Sequence, residues 1–220
     1  MSRFTGLQAA IVDLDGTLVD TLGDFVVALN GALAELSLPA LPAATVERLV
    51  GKGSEHLVRS ALREAGGADA LYEAAWTAYQ RHYGKVNGRH ATAYPGAEQG
   101  LRALRDAGLR LACVTNKPTG FARELLRQKG LLAFFGQVFG GDAFERRKPD
   151  PLPLLEACRV LGAAPARTLV IGDSVNDAAA ARAAGCPVVL VSYGYNHGQP
   201  VRSADADGFL DSLAGVGAWL

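Results

Sequence analysis

Ala9-Ala10-Ile11-Val12-Asp13-Leu14-Asp15-Gly16-Thr17-Leu18 is an apolar run of strand length that ends in two aspartates one residue apart, followed by glycine and a β-branched hydroxyl residue. Alternate residues of a strand share a face, but this strand is ending. Gly16 can take backbone angles closed to other residues, so the chain is expected to turn at Asp15. Both carboxylates then lie at the carboxyl edge of a sheet, where open α/β folds bind ligands. Two anions this close repel and push one pKa up, unless a cation sits between them. A buried strand closed by an Asp-Gly turn explains the same residues with no function attached.

Beyond Asp15 the strand pattern stops. Leu22, Phe25, Val26, Leu29, Leu33 and Leu36 recur at helical spacing, and Pro39 and Pro42 break the run. A short helix is expected over 44–49. Gly51-Lys52-Gly53-Ser54 follows, with Ser54 the expected N-cap of a helix carrying Leu57, Val58, Ala61 and Leu62. Gly66-Gly67 ends it, and 68–86 reads as helical again. Residues from about 19 to 90 are therefore expected to be all-α, roughly four helices.

From Tyr94-Pro95-Gly96 onward, helices and short apolar strands alternate. Strands are expected at 109–114, 138–139, 168–171 and, as the last, 187–191. Helices are expected at 97–107, 119–129, 152–161 and 175–184, with a final helix from about 211. Such alternation implies a parallel sheet with helices on both faces. Its strands are almost continuously apolar, as covered parallel strands are. The helical block interrupts this pattern directly after the first strand. It reads as an inserted all-α domain, 19–91, standing over the carboxyl edge of a core formed by 1–18 and 92–220.

Composition narrows the function. At 220 residues, 49% of them apolar, the chain suits one large domain or two small ones. The 22 basic and 22 acidic residues balance, and no basic stripe suggests nucleic acid. No apolar run approaches the ~20 residues that span a membrane. Met1 to Gly6 lacks the apolar core of a signal peptide. Cys113, Cys158 and Cys186 lie in apolar settings without metal-ligand spacing, as reduced core residues do. A cytoplasmic protein is expected.

Polar residues gather at four strand ends: Asp13 with Asp15, Thr115 with Asn116, Asp142, and Asp173 with Ser174, Asn176 and Asp177. Lys148 lies in the loop between the last two. Singly, each has a bland explanation. Thr115 can cap a helix, Asp177 can favour a helix N-terminus, and Lys148 can be solvated. Jointly they describe one site of carboxylates, a hydroxyl and a lysine at one sheet edge. Oxygen ligands suit Mg²⁺, and a lysine, a hydroxyl and helix N-termini suit a phosphoryl group.

At these residues the chain resembles the haloacid dehalogenase superfamily. The four family motifs fall in order at Asp13-Leu14-Asp15-Gly16-Thr17-Leu18, Val114-Thr115-Asn116-Lys117-Pro118, Lys148-Pro149-Asp150-Pro151 and Gly172-Asp173-Ser174-Val175-Asn176-Asp177. Thr-Asn-Lys-Pro, the Gly51-Lys52-Gly53 loop and Tyr193-Gly194-Tyr195-Asn196-His197-Gly198 resemble its bacterial phosphoglycolate phosphatase branch. The resemblance implies a Rossmann-like, doubly wound α/β core with a helical cap, and a Mg²⁺-dependent phosphatase acting on a small phosphate monoester. It implies Asp13 as nucleophile, forming an aspartyl phosphate, and Asp15 as general acid and then base. It further implies Thr115 and Lys148 on the phosphoryl oxygens, with backbone amides of Leu14, Gly16 and Asn116 beside them. Mg²⁺ is implied on the Asp13 and Asp173 side chains and the Asp15 carbonyl, supported by Ser174 and Asp177. The cap loop of Gly51, Lys52 and Gly53 is expected to meet substrate, with Lys52 pairing with the carboxylate of phosphoglycolate.

Other outcomes stay open at this point: another small phosphate ester, a sugar phosphomutase, or a non-enzymatic phosphometabolite-binding module. Dehalogenation and phosphorus–carbon cleavage in the superfamily proceed without the second aspartate, so Asp15 speaks against both. Monomer and homodimer are equally compatible with the sequence.

Overall fold

The computed structural model describes residues 4–220. In chain order its strands are β1 (Ala9–Val12), β2 (Val19–Asp20), β3 (Thr92–Ala93), β4 (Arg110–Val114), β5 (Gln137–Phe139), β6 (Thr168–Gly172), β7 (Val188–Val191) and β8 (Gly208–Leu210). The α-helices are α1 (Leu22–Glu35), α2 (Ala43–Leu49), α3 (Ser54–Glu64), α4 (Tyr72–Val86), α5 (Ala97–Asp106), α6 (Thr119–Gln128), α7 (Leu152–Leu161) and α8 (Val175–Ala184).

Six strands form one parallel sheet in the order β5-β4-β1-β6-β7-β8. β1 lies inside it, Ile11 opposite Ala112 on one side and Val170 on the other. Its alternation explains why every residue of the run is apolar. Ala10 and Val12 enter the core under α5 and α6, with Leu101, Leu104, Leu125 and Leu126. Ala9 and Ile11 enter the core under α7 and α8, with Leu154, Ala157 and Ala181. Both faces are covered, so the doubly wound α/β class expected from the sequence is the one observed.

Helices α1 to α4 bury a third cluster of their own, in which Phe25, Leu29, Leu33, Leu57, Leu62, Tyr79 and Tyr83 meet. The expected all-α segment needs one amendment. Val19–Asp20 pairs antiparallel with Thr92–Ala93, forming a two-stranded ribbon where the chain leaves and re-enters the sheet layer. Two residues per strand are too few for a period to register.

Three further expectations change. Ser54 is the first residue of α3 and not its cap; Gly53 holds the cap position with φ 87° and ψ 162°. The strand at 187–191 is not the last, because β8 follows on the sheet edge. The tail forms a 3₁₀ helix at Leu213–Trp219, where Gly215 and Gly217 weaken α-helical propensity. The three cysteines are free and buried. Among the described residues, no helix is long and apolar enough to cross a membrane.

Candidate active site

The site is built at the carboxyl edge of the sheet, from the segments that follow β1, β4 and β6, with Lys148 from the loop after β5 and Tyr195 from the segment after β7. Beyond β1, the Asp13 amide donates to the Ile171 carbonyl at 2.9 Å, and Gly16 (φ +83°) turns the chain back so that its amide reaches Val19 O at 2.9 Å. This turn leaves the Asp13 and Asp15 side chains on the same cavity as Thr115, Asn116 and Lys117 beyond β4, and Asp173 and Ser174 beyond β6.

Helix α8 is held by a reciprocal capping box between Ser174 and Asp177. Asp177 Oδ2 accepts from Ser174 Oγ at 2.7 Å, and its Oδ1 accepts from Lys148 Nζ at 2.6 Å. The same ammonium lies 2.8 Å from Asp13 Oδ1. Asp173 Oδ1 accepts from Thr17 Oγ1 at 3.2 Å, and Oδ2 accepts from the Tyr195 amide at 2.5 Å.

Asp13 and Asp177 therefore flank the Lys148 ammonium, and Asp173 joins them in one carboxylate cluster. Oxygens of Asp13, Asp173 and Asp177 all lie within 4.8 Å of one another. Burial pushes the Asp13 carboxyl up to about 7, against the pull of Lys148 and with further upward pressure from Asp177 and Asp15. Burial, then Asp177 and Asp13, pushes Asp173 well above the usual carboxylate range. For Lys148, burial disfavours the charge, but Asp13 and Asp177 outweigh it and keep the ammonium charged. Asp13 Oδ1 is buried and accepts no well-aligned hydrogen bond despite its ionic neighbour. An excess of negative charge, an all-oxygen donor set and an oxygen with spare capacity fit a hard divalent cation. The chain approaches Asp173 tightly, since a Cβ on Gly16 or Gly194 would overlap its Oδ2.

The cap loop is tied to this edge. Gly51 O accepts from Asn116 Nδ2 at 3.0 Å and from Asn176 Nδ2 at 3.3 Å. Asn116 also donates to Lys148 O at 2.9 Å, so it fixes the loop that carries the lysine. Gly51, Gly53 and Ser54 line the cavity, with Phe25, Val50 and Leu57 as apolar walls. Lys52 does not; it is exposed, in a turn flanked by Gly51 and Gly53 at φ +111° and +87°. Asp142 also stands apart from the carboxylate cluster. It accepts from the Thr119 amide at 2.8 Å and from the Thr119 hydroxyl, and so caps α6.

Lys117 and Tyr195, to which the motifs assign no role, also line the cavity. Lys117 Nζ lies 2.9 Å from Asp15 Oδ1, with both side chains almost fully enclosed. Tyr195 holds Asp173 through its amide, while its hydroxyl accepts from the Thr21 and Leu22 amides at 2.9 and 3.0 Å and pairs with Asp20. It thus connects the metal-type carboxylate to the ribbon at the base of α1. His197 Nε2 lies 3.1 Å from Asn176 Nδ2. Burial and then Lys52 hold its pKa down, which suits a neutral ring accepting from that amide.

A family model described as haloacid dehalogenase-like hydrolase matches residues 7–185. The phosphoglycolate phosphatase of Thiobacillus denitrificans is 44% identical over 211 residues, covering 94% of this chain and 93% of that protein. That of Nitrosospira multiformis is 45% identical over 212 residues, covering 94% and 92%. A crystal structure of a predicted phosphoglycolate phosphatase from Haemophilus somnus superposes with a TM-score of 0.91 at 32% identity, covering 96% of this chain and 97% of that one.

Proposed function

The chain belongs to the haloacid dehalogenase-like hydrolases and is a phosphoric monoester hydrolase, and we propose that it cleaves 2-phosphoglycolate to glycolate and phosphate through an aspartyl phosphate on Asp13. The observation that carries this reading is Lys148, buried between Asp13 and Asp177 at the edge where Asp15, Thr115 and Asp173 converge. The relatives' names support the choice of substrate.

Asp13 attacks phosphorus as a carboxylate, and the bond from phosphorus to the glycolate oxygen breaks. Asp15 gives its proton to that departing oxygen. It then takes a proton from the water that attacks the aspartyl phosphate, which releases phosphate and restores Asp13. Lys148 Nζ and Thr115 Oγ1 donate to the phosphoryl oxygens while negative charge redistributes among them. Asp177 keeps the Lys148 ammonium aimed at Asp13. Backbone amides of Leu14 and Asn116 complete the cradle; the Gly16 amide, expected there, is instead committed to the Val19 carbonyl. The side chains of Asp13 and Asp173 and the carbonyl of Asp15 are suited to hold Mg²⁺, supported by Ser174 and Asp177. When bound, the cation neutralises the repulsion between an anionic nucleophile and an anionic ester. Residues 19–91 act as the cap that excludes bulk water, and 1–18 with 92–220 as the catalytic core.

The test is kcat/KM with Mg²⁺ across phosphoglycolate, sugar phosphates and nucleotides. The expected result is phosphate release with phosphoglycolate preferred. Isomerisation of a sugar phosphate in place of phosphate release indicates a mutase, and binding with no turnover indicates a non-enzymatic module. Either refutes the reading.

A further inference from the structure

The cavity contains a second buried ammonium that the chemistry above does not use. Lys117 is 4% exposed, and among the described residues Asp15 is the one carboxylate paired with it, at 2.9 Å. Its Nζ also lies over the rings of Phe25 and Tyr83, 4.7 and 4.8 Å from their centroids. A desolvated ammonium is costly unless paired, and ring faces compensate for only part of that cost. Lys148 is already committed to two carboxylates. Lys117 has one, and it faces the cavity. Phe25 and Tyr83 come from α1 and α4, so helices of the cap hold in place a lysine that belongs to the core.

Resting on the phosphatase reading above, we propose that Lys117, and not Lys52, binds the carboxylate of the leaving group. The class of substrate it selects is a phosphate ester whose carboxylate is attached to the carbon bearing the ester oxygen. Asp15 protonates that oxygen, so a cation in contact with Asp15 lies beside the first atoms of the leaving group. In such an ester the carboxylate carbon is two bonds from the ester oxygen. One ammonium has three N–H donors and can serve Asp15 and the substrate carboxylate together. Phe25, Val50 and Leu57 wall the same cavity with apolar surface, which disfavours long polar leaving groups. Lys52 is exposed and outside the cavity.

Lys117→Met keeps the stem against Phe25 and Tyr83 and removes the charge. The experiment compares kcat/KM for phosphoglycolate with that for 2-hydroxyethyl phosphate, which replaces the carboxylate by a hydroxymethyl group. Losing a charge-assisted hydrogen bond should lower the phosphoglycolate-to-hydroxyethyl ratio roughly ten- to hundredfold, mostly through KM. Lys117→Arg should recover part of it, and Lys52→Ala should leave it unchanged. Should the Met variant not fold, Lys117→Gln carries the same comparison. If wild type favours the carboxylate ester and Lys117→Met, or Lys117→Gln in its place, keeps that preference in full, the proposal is overturned while the phosphoglycolate reading stands. If wild type shows no preference, the phosphoglycolate reading fails first and the proposal falls with it.

Discussion

Gly16 lies under Asp173, and replacing it by alanine separates two effects that are usually confounded. The backbone there is at φ +83°, and an added Cβ would overlap Asp173 Oδ2 and come within 2.9 Å of Tyr195 Cδ2. Gly66 supplies the control, with φ +75° and nothing within 4 Å of its added Cβ. Gly66→Ala should therefore cost only the left-handed backbone penalty, about 1–2 kcal/mol. At about 2–4 °C per kcal/mol for a chain of this size, that is about 2–8 °C in Tm, with unchanged turnover. Gly16→Ala adds overpacking of about 1–3 kcal/mol, for a total of about 2–5 kcal/mol. It must also move Asp173 or the turn that carries Asp13 and Asp15, and a misplacement of about 1 Å can cost 10²-fold in rate. Gly194→Ala would overlap Asp173 Cβ, Asp173 Oδ2 and the Gly16 carbonyl. It should lose activity comparably while costing only the overpacking. Thermal unfolding and Mg²⁺ titration of kcat on all three variants form the assay. Loss of activity should follow contact with Asp173, with a raised Mg²⁺ requirement in Gly16→Ala and Gly194→Ala. Full activity and normal Mg²⁺ dependence in Gly16→Ala would refute the tight seating of Asp173.

Asp15→Asn should slow the phosphorylation step of phosphoglycolate by about 10²–10⁴-fold and that of nitrophenyl phosphate far less, because nitrophenolate leaves without a proton; single-turnover rates decide, and equal damage removes the acid role. Lys148→Met removes the ammonium between Asp13 and Asp177 and should lower kcat by about 10²–10³-fold or more, read at saturating substrate. Asp207 accepts from the Val188 amide at 2.7 Å and from Arg182 at 3.0 Å. Burial pushes its carboxyl up, but these partners outweigh it and hold it below the ordinary 3.8. A depressed carboxyl stabilises above its unfolded pKa and loses that contribution as pH falls through the folded value. Asp207→Asn should therefore lower Tm at pH 7, and the difference from wild type should close below about pH 4.

Most of the sheet and all the long helices were legible because burial on two faces writes itself as unbroken apolar runs, as in Leu169-Val170-Ile171, and burial on one face as a 3.6 period, as in Leu22 to Glu35. β8 and the ribbon escaped because strands of two or three residues are too short to display a period; β5, equally short, was legible from Val138-Phe139 ahead of the Gly140-Gly141 turn. Asp142 and Asp173 look alike in sequence, an acid beside a glycine at a strand end. What separates them is tertiary: Asp142 turns back onto Thr119, while Asp173 meets Thr17 and Tyr195 from distant parts of the chain. The placement of two lysines escaped for a related reason. Lys52 between two glycines looked purposeful, yet the turn exposes it. Lys117, quoted within a motif and given no role, sits between a strand and a helix, and its partners Asp15, Phe25 and Tyr83 are contributed by three other segments.

The central claim is that Asp13 carries the phosphoryl group during turnover. It is tested most directly by millisecond acid quench of enzyme turning over phosphoglycolate with a radiolabelled phosphoryl group, followed by borohydride reduction and peptide mass spectrometry. Label on the protein, located at Asp13 by conversion of that residue to homoserine, is the predicted result. It should be absent in Asp13→Asn, require Mg²⁺ and not form in EDTA. Turnover with no protein-bound phosphate under conditions that stabilise acyl phosphates, or label on any other residue, would contradict the account.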